Sequence, residues 1–245
     1  MILVLGGTAE ARELAGALDA AGVHVTSSLA GRVSRPRLPA GTVRIGGFGG
    51  PDALARWLTE HGAVAVVDAT HPFAERISAS AATACARAGV TLLRLQRPGW
   101  SEQAGDDWHW VADLEQAAAA IPSLGGRVLL TTGRQGLAAF ARVQDAWFLV
   151  RCVEQPDPPL PPRHELLLDR GPYTVDGELE LVDGHGIELV VTKDSGGAYT
   201  QAKLEAARRR GLPVIVVRRP PRPDVASVAT VADALAWARE RARAA

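Results

Sequence analysis

The chain has 245 residues, of which 47% are hydrophobic, and its 27 Lys and Arg residues balance 27 Asp and Glu residues. This length and apolar content suit one large globular core or two domains of ordinary size. A formal net charge of zero gives no reason to expect nucleic acid or an anionic membrane surface as a partner.

The sequence also argues against a secreted, membrane-bound or metal-holding protein. Cys85 and Cys152 lie in apolar stretches and form no C-x-x-C pair, so neither a disulfide scaffold nor a metal site is predicted. The apolar start of the chain is too short for a signal peptide, because it runs directly into Gly6 and Gly7. No apolar run approaches membrane-spanning length. We therefore expect a cytoplasmic protein.

Short β-branched runs alternate with helix-length segments, which predicts an α/β fold of parallel sheets covered by helices. The first helix-length segment places Ala11, Leu14, Ala15 and Leu18 on one apolar face. In chain order, the predicted strands are residues 2–5, 23–27, 42–45, 64–68, 91–95, 128–131, 147–152, 187–192 and 214–217.

The turn after the first strand is Gly6-Gly7-Thr8, and a helix follows it. The glycines let the backbone approach a ligand closely, Thr8 is a natural N-cap, and the helix N-terminus favours a phosphate. The pattern is not the full G-x-G-x-x-G fingerprint, so a glycine-rich turn without a ligand explains it equally well. Glu10 in the first helical turn would repel a phosphate placed close by.

The end of the second strand lacks the acidic residue that typical NAD sites use for the ribose 2′-hydroxyl. Ser28 and Arg32 stand there instead and could hold a 2′-phosphate, which predicts NADP(H) rather than NAD(H). Arg35 or Arg37 could take the same role, and each arginine could also be a solvated surface charge. The glycine-rich turn at 46–50, with Gly47, indicates either close approach to a ligand or a flexible turn.

The fourth predicted strand ends in Asp68-Ala69-Thr70-His71-Pro72. Pro72 predicts the start of a helix, because its fixed φ suits the first helical turn. An acid, a hydroxyl and an imidazole are therefore expected together at the carboxyl edge of a strand, where open α/β sheets bind ligands. His71 could titrate near neutral pH or simply cap the helix.

The second half of the chain carries a cluster of cations at its strand ends. Lys193 and Asp194 end one strand, before two glycines and a helix that carries Lys203, and Arg134 follows another strand. Such cations suit a substrate with several carboxylates, although each one alone could be a solvated charge. The residues singled out in this half are Arg134, Tyr173, Thr192, Lys193, Asp194, Ser195, Gly196 and Lys203.

A weak internal repeat indicates two domains of similar plan. Residues 89–98 resemble 211–220, residues 111–113 resemble 231–233, and Thr70 corresponds to Thr192, all at offsets of about 120 residues. We predict two Rossmann-like domains, residues 1–122 and 123–245, with the active site in a cleft between them. The alternative is that any two αβ units of this composition look alike.

Together these motifs resemble the precorrin-6A reductases of cobalamin biosynthesis. The resemblance covers nearly the whole chain and is carried by Gly6-Gly7-Thr8 with Glu10 and Arg12, residues 68–74, Gly133-Arg134, residues 170–173, and residues 192–197 with Lys203. It implies a two-domain Rossmann-like fold and NADPH-dependent reduction of one carbon–carbon double bond in a tetrapyrrole. It also implies a cytoplasmic enzyme that acts as a monomer.

On this hypothesis, the first domain binds NADPH and the second binds the tetrapyrrole. The expected cofactor-binding residues are Gly6, Gly7, Thr8, Arg12, Ser28, Arg32, Gly47, Asp68, Ala69 and Thr70. The expected catalytic residues are His71, Lys193 and Asp194. The expected substrate-binding residues are Arg134, Tyr173, Thr192, Ser195, Gly196 and Lys203.

Three other functions remain open on the sequence. They are an NADP-dependent reductase of a smaller substrate, a non-enzymatic dinucleotide-binding module, and a tetrapyrrole methyltransferase, which would have no use for a 2′-phosphate site. Polar residues at strand ends in both halves argue against a pure binding module, because one ligand needs only one such edge.

Overall fold

A computed structural model describes residues 1–31 and 38–244 of the chain. The described residues divide into two compact units: the second is Gly99–Arg219, and the first contains the residues on either side of it. Each unit is built on a six-stranded parallel sheet. The predicted α/β fold with two parallel sheets is confirmed.

Strands and helices alternate along both units. The strands are β1 (Ile2–Leu5), β2 (Val25–Leu29), β3 (Thr42–Ile45), β4 (Ala65–Asp68), β5 (Thr91–Leu95), β6 (Asp107–Val111), β7 (Arg127–Leu130), β8 (Trp147–Cys152), β9 (His164–Leu168), β10 (Leu189–Lys193), β11 (Pro213–Val217) and β12 (Ser227–Val228). The helices are α1 (Ala9–Ala20), α2 (Pro51–Glu60), α3 (Glu75–Ala88), α4 (Leu114–Ala120), α5 (Val175–His185), α6 (Ala202–Arg210) and α7 (Val231–Arg243). All the predicted strands are present with ends shifted by one or two residues at most, and β6, β9 and β12 are additional to the prediction.

The sheet of the first unit has the strand order β12-β5-β4-β1-β2-β3. Because successive side chains of a strand point to opposite faces, β1 contributes to a core on each side of the sheet. Ile2 packs with Leu14 on the side of α1 and α7. Leu3 packs with Leu54 on the side of α2 and α3. Helices therefore cover both faces, as the unbroken apolar strands require.

The sheet of the second unit has the order β6-β11-β10-β7-β8-β9, which matches the first sheet strand for strand. On one face, Leu129 and Val190 pack with Leu204 of α6. On the other face, Phe148 of β8 meets Phe140 edge-on, with ring centroids 6.0 Å apart. The internal repeat read from the sequence therefore corresponds to two sheets of one topology.

Each unit takes one strand and one helix from the part of the chain that the internal repeat assigns to the other unit. These are β6 and α4 in the second unit, and β12 and α7 in the first. After β5 the chain enters the second unit, where β6 pairs with β11, and after β11 it returns to the first unit, where β12 pairs with β5. This division differs from the predicted boundary at residues 122 and 123, because residues 99–122 belong to the second unit and residues 220–244 to the first. The apolar side chains explain the exchange: Trp108 packs in the second core, and Ala238 packs in the first.

The strand orders also locate the places where ligands are expected. In the first sheet the chain runs outward from β1 through β2 to β3, then continues on the opposite side of β1 with β4. The same reversal occurs between β7 and β10 in the second sheet. Open α/β sheets bind ligands beyond the carboxyl ends of the strands at such a reversal. The two expected sites therefore follow β1 and β4 in one unit, and β7 and β10 in the other.

The placement of α7 in the first unit can be tested with one pair of substitutions on that helix. Ala238 is fully buried, whereas Ala236 is exposed. We expect Ala238→Glu to lower the free energy of unfolding by about 3 kcal/mol or more, because it buries a carboxylate without a partner. Ala236→Glu should change it by no more than about 0.5 kcal/mol. Equal effects in chemical denaturation would contradict the placement.

Candidate functional site

The glycine turn after β1 combines tight packing with open space. A Cβ atom at Gly6 would lie 3.3 Å from the Leu29 side chain and 3.6 Å from Ala11, so glycine there lets β1 and α1 pack closely. Gly7 has φ +115°, a conformation that glycine adopts readily, and a Cβ there would meet nothing within 4 Å. The turn therefore exposes backbone on the side where a ligand can approach.

Thr8 holds this turn in place rather than offering its hydroxyl to a ligand. Its Oγ1 accepts a hydrogen bond from the Ala11 N–H (3.1 Å) and donates one to the Ala69 carbonyl (2.8 Å). The first of these bonds is the predicted N-cap of α1. The second ties the glycine turn to the loop after β4, which lies beside β1 in the sheet.

The charge around the turn suits an anion. The Glu10 carboxylate, which would repel a phosphate, lies 2.8 Å from the Arg97 guanidinium, so its charge is compensated. Arg12 donates from Nη1 to the Thr8 carbonyl (3.0 Å), which brings a second cation to the start of α1. The backbone N–H groups of a helix N-terminus add a partial positive charge. The residues present therefore fit a pyrophosphate.

Asp68 was expected to contact the cofactor, but the structure gives its carboxylate a different role. The side chain is 1% exposed and accepts four hydrogen bonds. The donors are the Thr70 N–H (3.2 Å) and hydroxyl (2.6 Å), the Ser78 hydroxyl (2.6 Å) and Arg222 Nη2 (3.1 Å). Asp68 thus fixes the loop after β4 and leaves no carboxylate oxygen for a ligand.

His71 and Pro72 form a turn before α3 rather than the start of the helix. The Ala74 N–H donates to the His71 carbonyl (2.8 Å), and α3 begins at Glu75, three residues later than Pro72 predicts. The Phe73 N–H donates to Nδ1 of His71 (3.3 Å). This bond occupies Nδ1 as an acceptor, so the neutral ring carries its proton on Nε2.

The ends of β2 and β3 form the third part of the first unit's edge. Ser28 is 7% exposed, and Gly47 follows β3 with open space where a Cβ would lie. Arg32, the predicted 2′-phosphate ligand, lies outside the described residues, as do Arg35 and Arg37. The structure instead brings Arg44 of β3 to within 3.5 Å of the Ser28 hydroxyl, a residue that the sequence patterns did not single out.

In the second unit, a cavity of about 150 Å³ lies at the reversal between β7 and β10. Its lining residues are Thr131, Gly133, Arg151, Cys152, Val153, Asp169, Tyr173, Ser195, Thr200 and Lys203. The predicted substrate residues Tyr173, Ser195 and Lys203 are thus brought together. A wider, shallower depression of about 330 Å³ lies between the last turns of α2 and α3, which precede β4 and β5, and not at the carboxyl ends of the strands.

Lys203 is the most perturbed cation of this cavity. Its side chain is 3% exposed, its Nζ donates to the Thr200 carbonyl (2.6 Å), and the ammonium lies 4.8 Å from the ring centre of Trp100. Burial, assisted by the nearby Arg151 guanidinium, lowers the pKa of Lys203 to about 7. A carboxylate entering the cavity would supply the counter-charge that favours the protonated form.

Arg151 also lines the cavity and was missed by the sequence patterns. It lies in β8, 2.7 Å from the buried Glu178 carboxylate, and its guanidinium stacks 3.9 Å above the Tyr173 ring. The Tyr173 hydroxyl donates to the Asp169 carbonyl (3.3 Å), and burial raises the pKa of Tyr173. An arginine within an otherwise apolar strand was the available signal.

Lys193 and Arg134 lie at the same edge as the cavity. Lys193 Nζ donates to the Gln135 carbonyl (3.4 Å), and burial lowers the pKa of Lys193. Arg134 lies 3.6 Å from the Glu154 carboxylate. The chain has only two lysines, Lys193 and Lys203, and both belong to this candidate site. That composition was a second signal in the sequence.

The other expected residues of this edge serve the fold. The Asp194 carboxylate accepts from the Trp100 N–H (3.0 Å) and lies 3.1 Å from Arg219, so both of its oxygens are engaged within the second unit. Thr192 is 1% exposed and therefore out of reach of a ligand. Gly196 has φ +65° and gives the turn after β10 its left-handed step.

A protein-family model described as "Precorrin-6x reductase CbiJ/CobK" matches residues 1–239. The chain belongs to the precorrin-6x reductase family. A "Precorrin-6A reductase" from Rhodococcus erythropolis is 54% identical over 96% of both chains, and one from Mycobacterium tuberculosis is 50% identical over the same shares. A solved structure titled "CobK precorrin-6A reductase" matches with a TM-score of 0.93 and 44% sequence identity. The match covers 98% of this chain and 96% of the chain in that structure.

Two further observations apply to residues 1–31 and 38–244 of this reductase-family chain. No group of three or more His, Cys, Asp or Glu residues is arranged to hold a metal ion there. No helix in that part is long and apolar enough to cross a membrane.

Asp68 should be important for stability because it is the buried partner of Arg222. We expect Asp68→Asn to lower the free energy of unfolding by about 3–5 kcal/mol, since it removes the negative charge from a buried ion pair. Asp52→Asn is the matched control, because Asp52 pairs with Arg87 on the surface. The control should cost no more than about 1 kcal/mol. Denaturant titration of both variants measures the difference, and equal costs would contradict the role of Asp68.

Lys203 should give the stability of the protein a specific pH dependence. The ordinary lysine pKa of 10.5 applies to the unfolded chain, and the folded value is about 7. Below pH 7 the folded protein must bury the charged ammonium. Between the two values the unfolded chain binds more protons, so stability rises with pH and the penalty disappears near pH 10. Lys203→Met should therefore raise the free energy of unfolding more at pH 6 than at pH 10, by roughly 3–5 kcal/mol.

The control for this experiment is Arg209→Met, on the same helix but half exposed. Its effect on the free energy of unfolding should be the same at both pH values, because a guanidinium does not titrate there. A pH-independent effect of Lys203→Met would show that Lys203 keeps an ordinary pKa.

Proposed function

We propose that this chain is an NADPH-dependent reductase that converts precorrin-6A to precorrin-6B in cobalamin biosynthesis, adding a hydride and a proton to one carbon–carbon double bond. The observation that carries the proposal is the 54% identity, over 96% of both chains, to a precorrin-6A reductase. The chemistry of the two units agrees with it, since the first has an anion-favouring glycine turn and the second a cavity with buried cations.

In this proposal the first unit holds NADPH. The backbone at Gly6 and Gly7 receives the pyrophosphate, supported by Arg12 at the start of α1. The loop of Ala69 and Thr70 borders the ribose and nicotinamide, because a hydrogen bond from Thr8 holds it beside the glycine turn. The bound nicotinamide supplies the hydride. Asp68 acts as a positioning residue through its bonds to this loop.

The second unit binds the peripheral carboxylates of the tetrapyrrole. Lys203 lines the cavity, and burial lowers its pKa to about 7. A bound carboxylate would stabilise the charged form of its ammonium. Lys193 and Arg134 extend the positive charge along the same edge, and Tyr173 and Ser195 offer polar contacts. Asp194 shapes the turn that carries Ser195 and Gly196 rather than touching the substrate.

His71 is the proposed proton source in the first unit. Only the imidazolium form of His71 can act as the acid, so both ring nitrogens carry a proton before the transfer. The hydrogen bond from the Phe73 N–H to Nδ1 belongs to the neutral ring. The hydride forms one new carbon–hydrogen bond, and the electron pair of the reduced double bond takes the proton at the neighbouring carbon. Lys193 is the second candidate donor, since burial lowers its pKa below the ordinary lysine value and so makes its ammonium a stronger acid.

The metal-free macrocycle is the proposed substrate. The relatives named "Precorrin-6A reductase" are 42–54% identical to the chain, whereas those named "Cobalt-precorrin-6A reductase" are 27–34% identical.

We further propose a monomer in the cytoplasm, as the family resemblance implies. Light scattering after gel filtration gives the mass to compare with 25.8 kDa.

The decisive test is an anaerobic turnover assay with precorrin-6A. We expect NADPH oxidation and formation of a product two mass units heavier. Cobalt-precorrin-6A under the same conditions should be reduced more slowly. Absence of turnover with precorrin-6A, together with turnover of a simple enone, would favour a reductase of small substrates. NADPH binding without turnover of any tetrapyrrole would favour a binding module.

The lysines should control substrate affinity and leave the cofactor untouched. We expect Lys203→Met and Lys193→Met each to raise KM for precorrin-6A by roughly 10- to 100-fold, the effect of losing a charge-assisted hydrogen bond. The dissociation constant for NADPH should stay within about twofold. Arg209→Gln, which removes an exposed charge from α6, is the control and should leave KM unchanged. Unchanged KM in both lysine variants would place the substrate elsewhere.

A further inference from the structure

We propose that Arg44, together with Ser28, forms the subsite for the 2′-phosphate of NADPH and so makes the enzyme prefer NADPH to NADH. The inference rests on the proposed function, which requires a nicotinamide cofactor. It assigns the choice between the two cofactors to a residue on β3.

The position of Arg44 in the sheet is the first argument. β2 lies next to β1, whose glycine turn is the proposed pyrophosphate site, and β3 lies next to β2. In such sheets the group at the end of the second strand reads the ribose 2′ position, with an acid for a hydroxyl and an arginine for a phosphate. Ser28 stands one residue before the end of β2, and the parallel register pairs it directly with Arg44.

The geometry of the side chain is the second argument. Arg44 Nη1 lies 3.5 Å from the Ser28 hydroxyl, so a cation and a hydroxyl are adjacent. Nη1 and Nη2 also donate to the carbonyls of Gly46 (2.5 Å) and Gly47 (2.8 Å), and the guanidinium stacks 3.8 Å over the Phe48 ring. These contacts hold the plane of the guanidinium in one orientation. A guanidinium has five N–H donors, so these hydrogen bonds leave further N–H groups of Arg44 for a phosphate.

The charge balance is the third argument. Among the described residues no carboxylate pairs with Arg44, in contrast to Arg97 and Arg151, which both have acidic partners. Partial burial lowers the pKa of Arg44, yet a guanidinium stays charged at any physiological pH. The hydrogen-bonded partners of Arg44 are neutral carbonyl oxygens, so they do not cancel its positive charge. A half-buried cation of this kind, beside a hydroxyl, favours an anion.

There is also room for the ligand. A Cβ atom at Gly46 or Gly47 would lie more than 4 Å from the neighbouring residues that the structure describes, so within that part of the chain the turn next to Arg44 is open on its outer side. The end of β2 carries serine and leucine where an NAD site would have an acid, so a 2′-phosphate meets no carboxylate there.

The test measures dissociation constants of NADPH and NADH by nicotinamide fluorescence at one fixed ionic strength. Arg44→Gln should weaken NADPH binding by roughly 10- to 100-fold and change NADH binding by less than about twofold. Arg44→Lys keeps the charge but loses the fork and should show an intermediate loss. On the unmodified enzyme, adenosine 2′,5′-bisphosphate should compete with NADPH more strongly than AMP does. In Arg44→Gln the two nucleotides should compete equally.

The control is Arg56→Gln, which removes the same charge from the exposed face of α2 and should leave both constants unchanged. Equal weakening of NADPH and NADH in Arg44→Gln would mean that Arg44 only holds the turn, and would overturn the inference. A preference for NADPH that survives Arg44→Gln but disappears in Arg32→Gln would also overturn it. Failure of the unmodified enzyme to bind either dinucleotide would overturn the proposed cofactor, and this subsite with it.

Discussion

The arrangement of the first unit depends on one buried carboxylate. Asp68 sits at the carboxyl end of β4, and its donors come from the loop after the strand, from α3 and from the segment that returns from the second unit. A buried charge is stable only when such donors satisfy it. The same bonds that satisfy Asp68 therefore fix the loop of Thr70 and His71. Asp194 performs the equivalent task in the second unit, where Trp100 and Arg219 are its partners.

Much of the fold could be predicted because buried parallel strands leave a clear pattern of apolar runs. The strands that were not predicted lack that pattern. β6 reads Asp-Trp-His-Trp-Val and is only partly buried, β9 follows a proline-rich stretch, and β12 has two residues. The domain boundary was misplaced for a related reason. Self-similarity locates the start of each repeat, but which sheet a terminal strand joins is decided by tertiary packing.

For the candidate site, the sequence indicated strand ends that lie where the order of each sheet reverses, but it could not separate accessible groups from buried ones. Asp68 and Asp194 have the chemistry of ligands, yet protein donors occupy their oxygens. The Thr8 hydroxyl is likewise occupied, because it caps α1 and donates a hydrogen bond to the Ala69 carbonyl. Arg44 and Arg151 were overlooked because a cation inside a strand has no motif around it. Their significance comes from neighbours on adjacent strands, which linear spacing does not reveal.

The exchange of the last strand and helix has a consequence for how the protein forms on the ribosome. The first sheet is completed by β12, and its core by α7, and both are synthesised after every strand of the second unit. Until they emerge, β5 presents an unpaired edge of the kind that invites pairing with other chains. The second unit, by contrast, has all its strands in one continuous stretch of chain and can close earlier. The first unit is therefore begun before the second unit and completed after it.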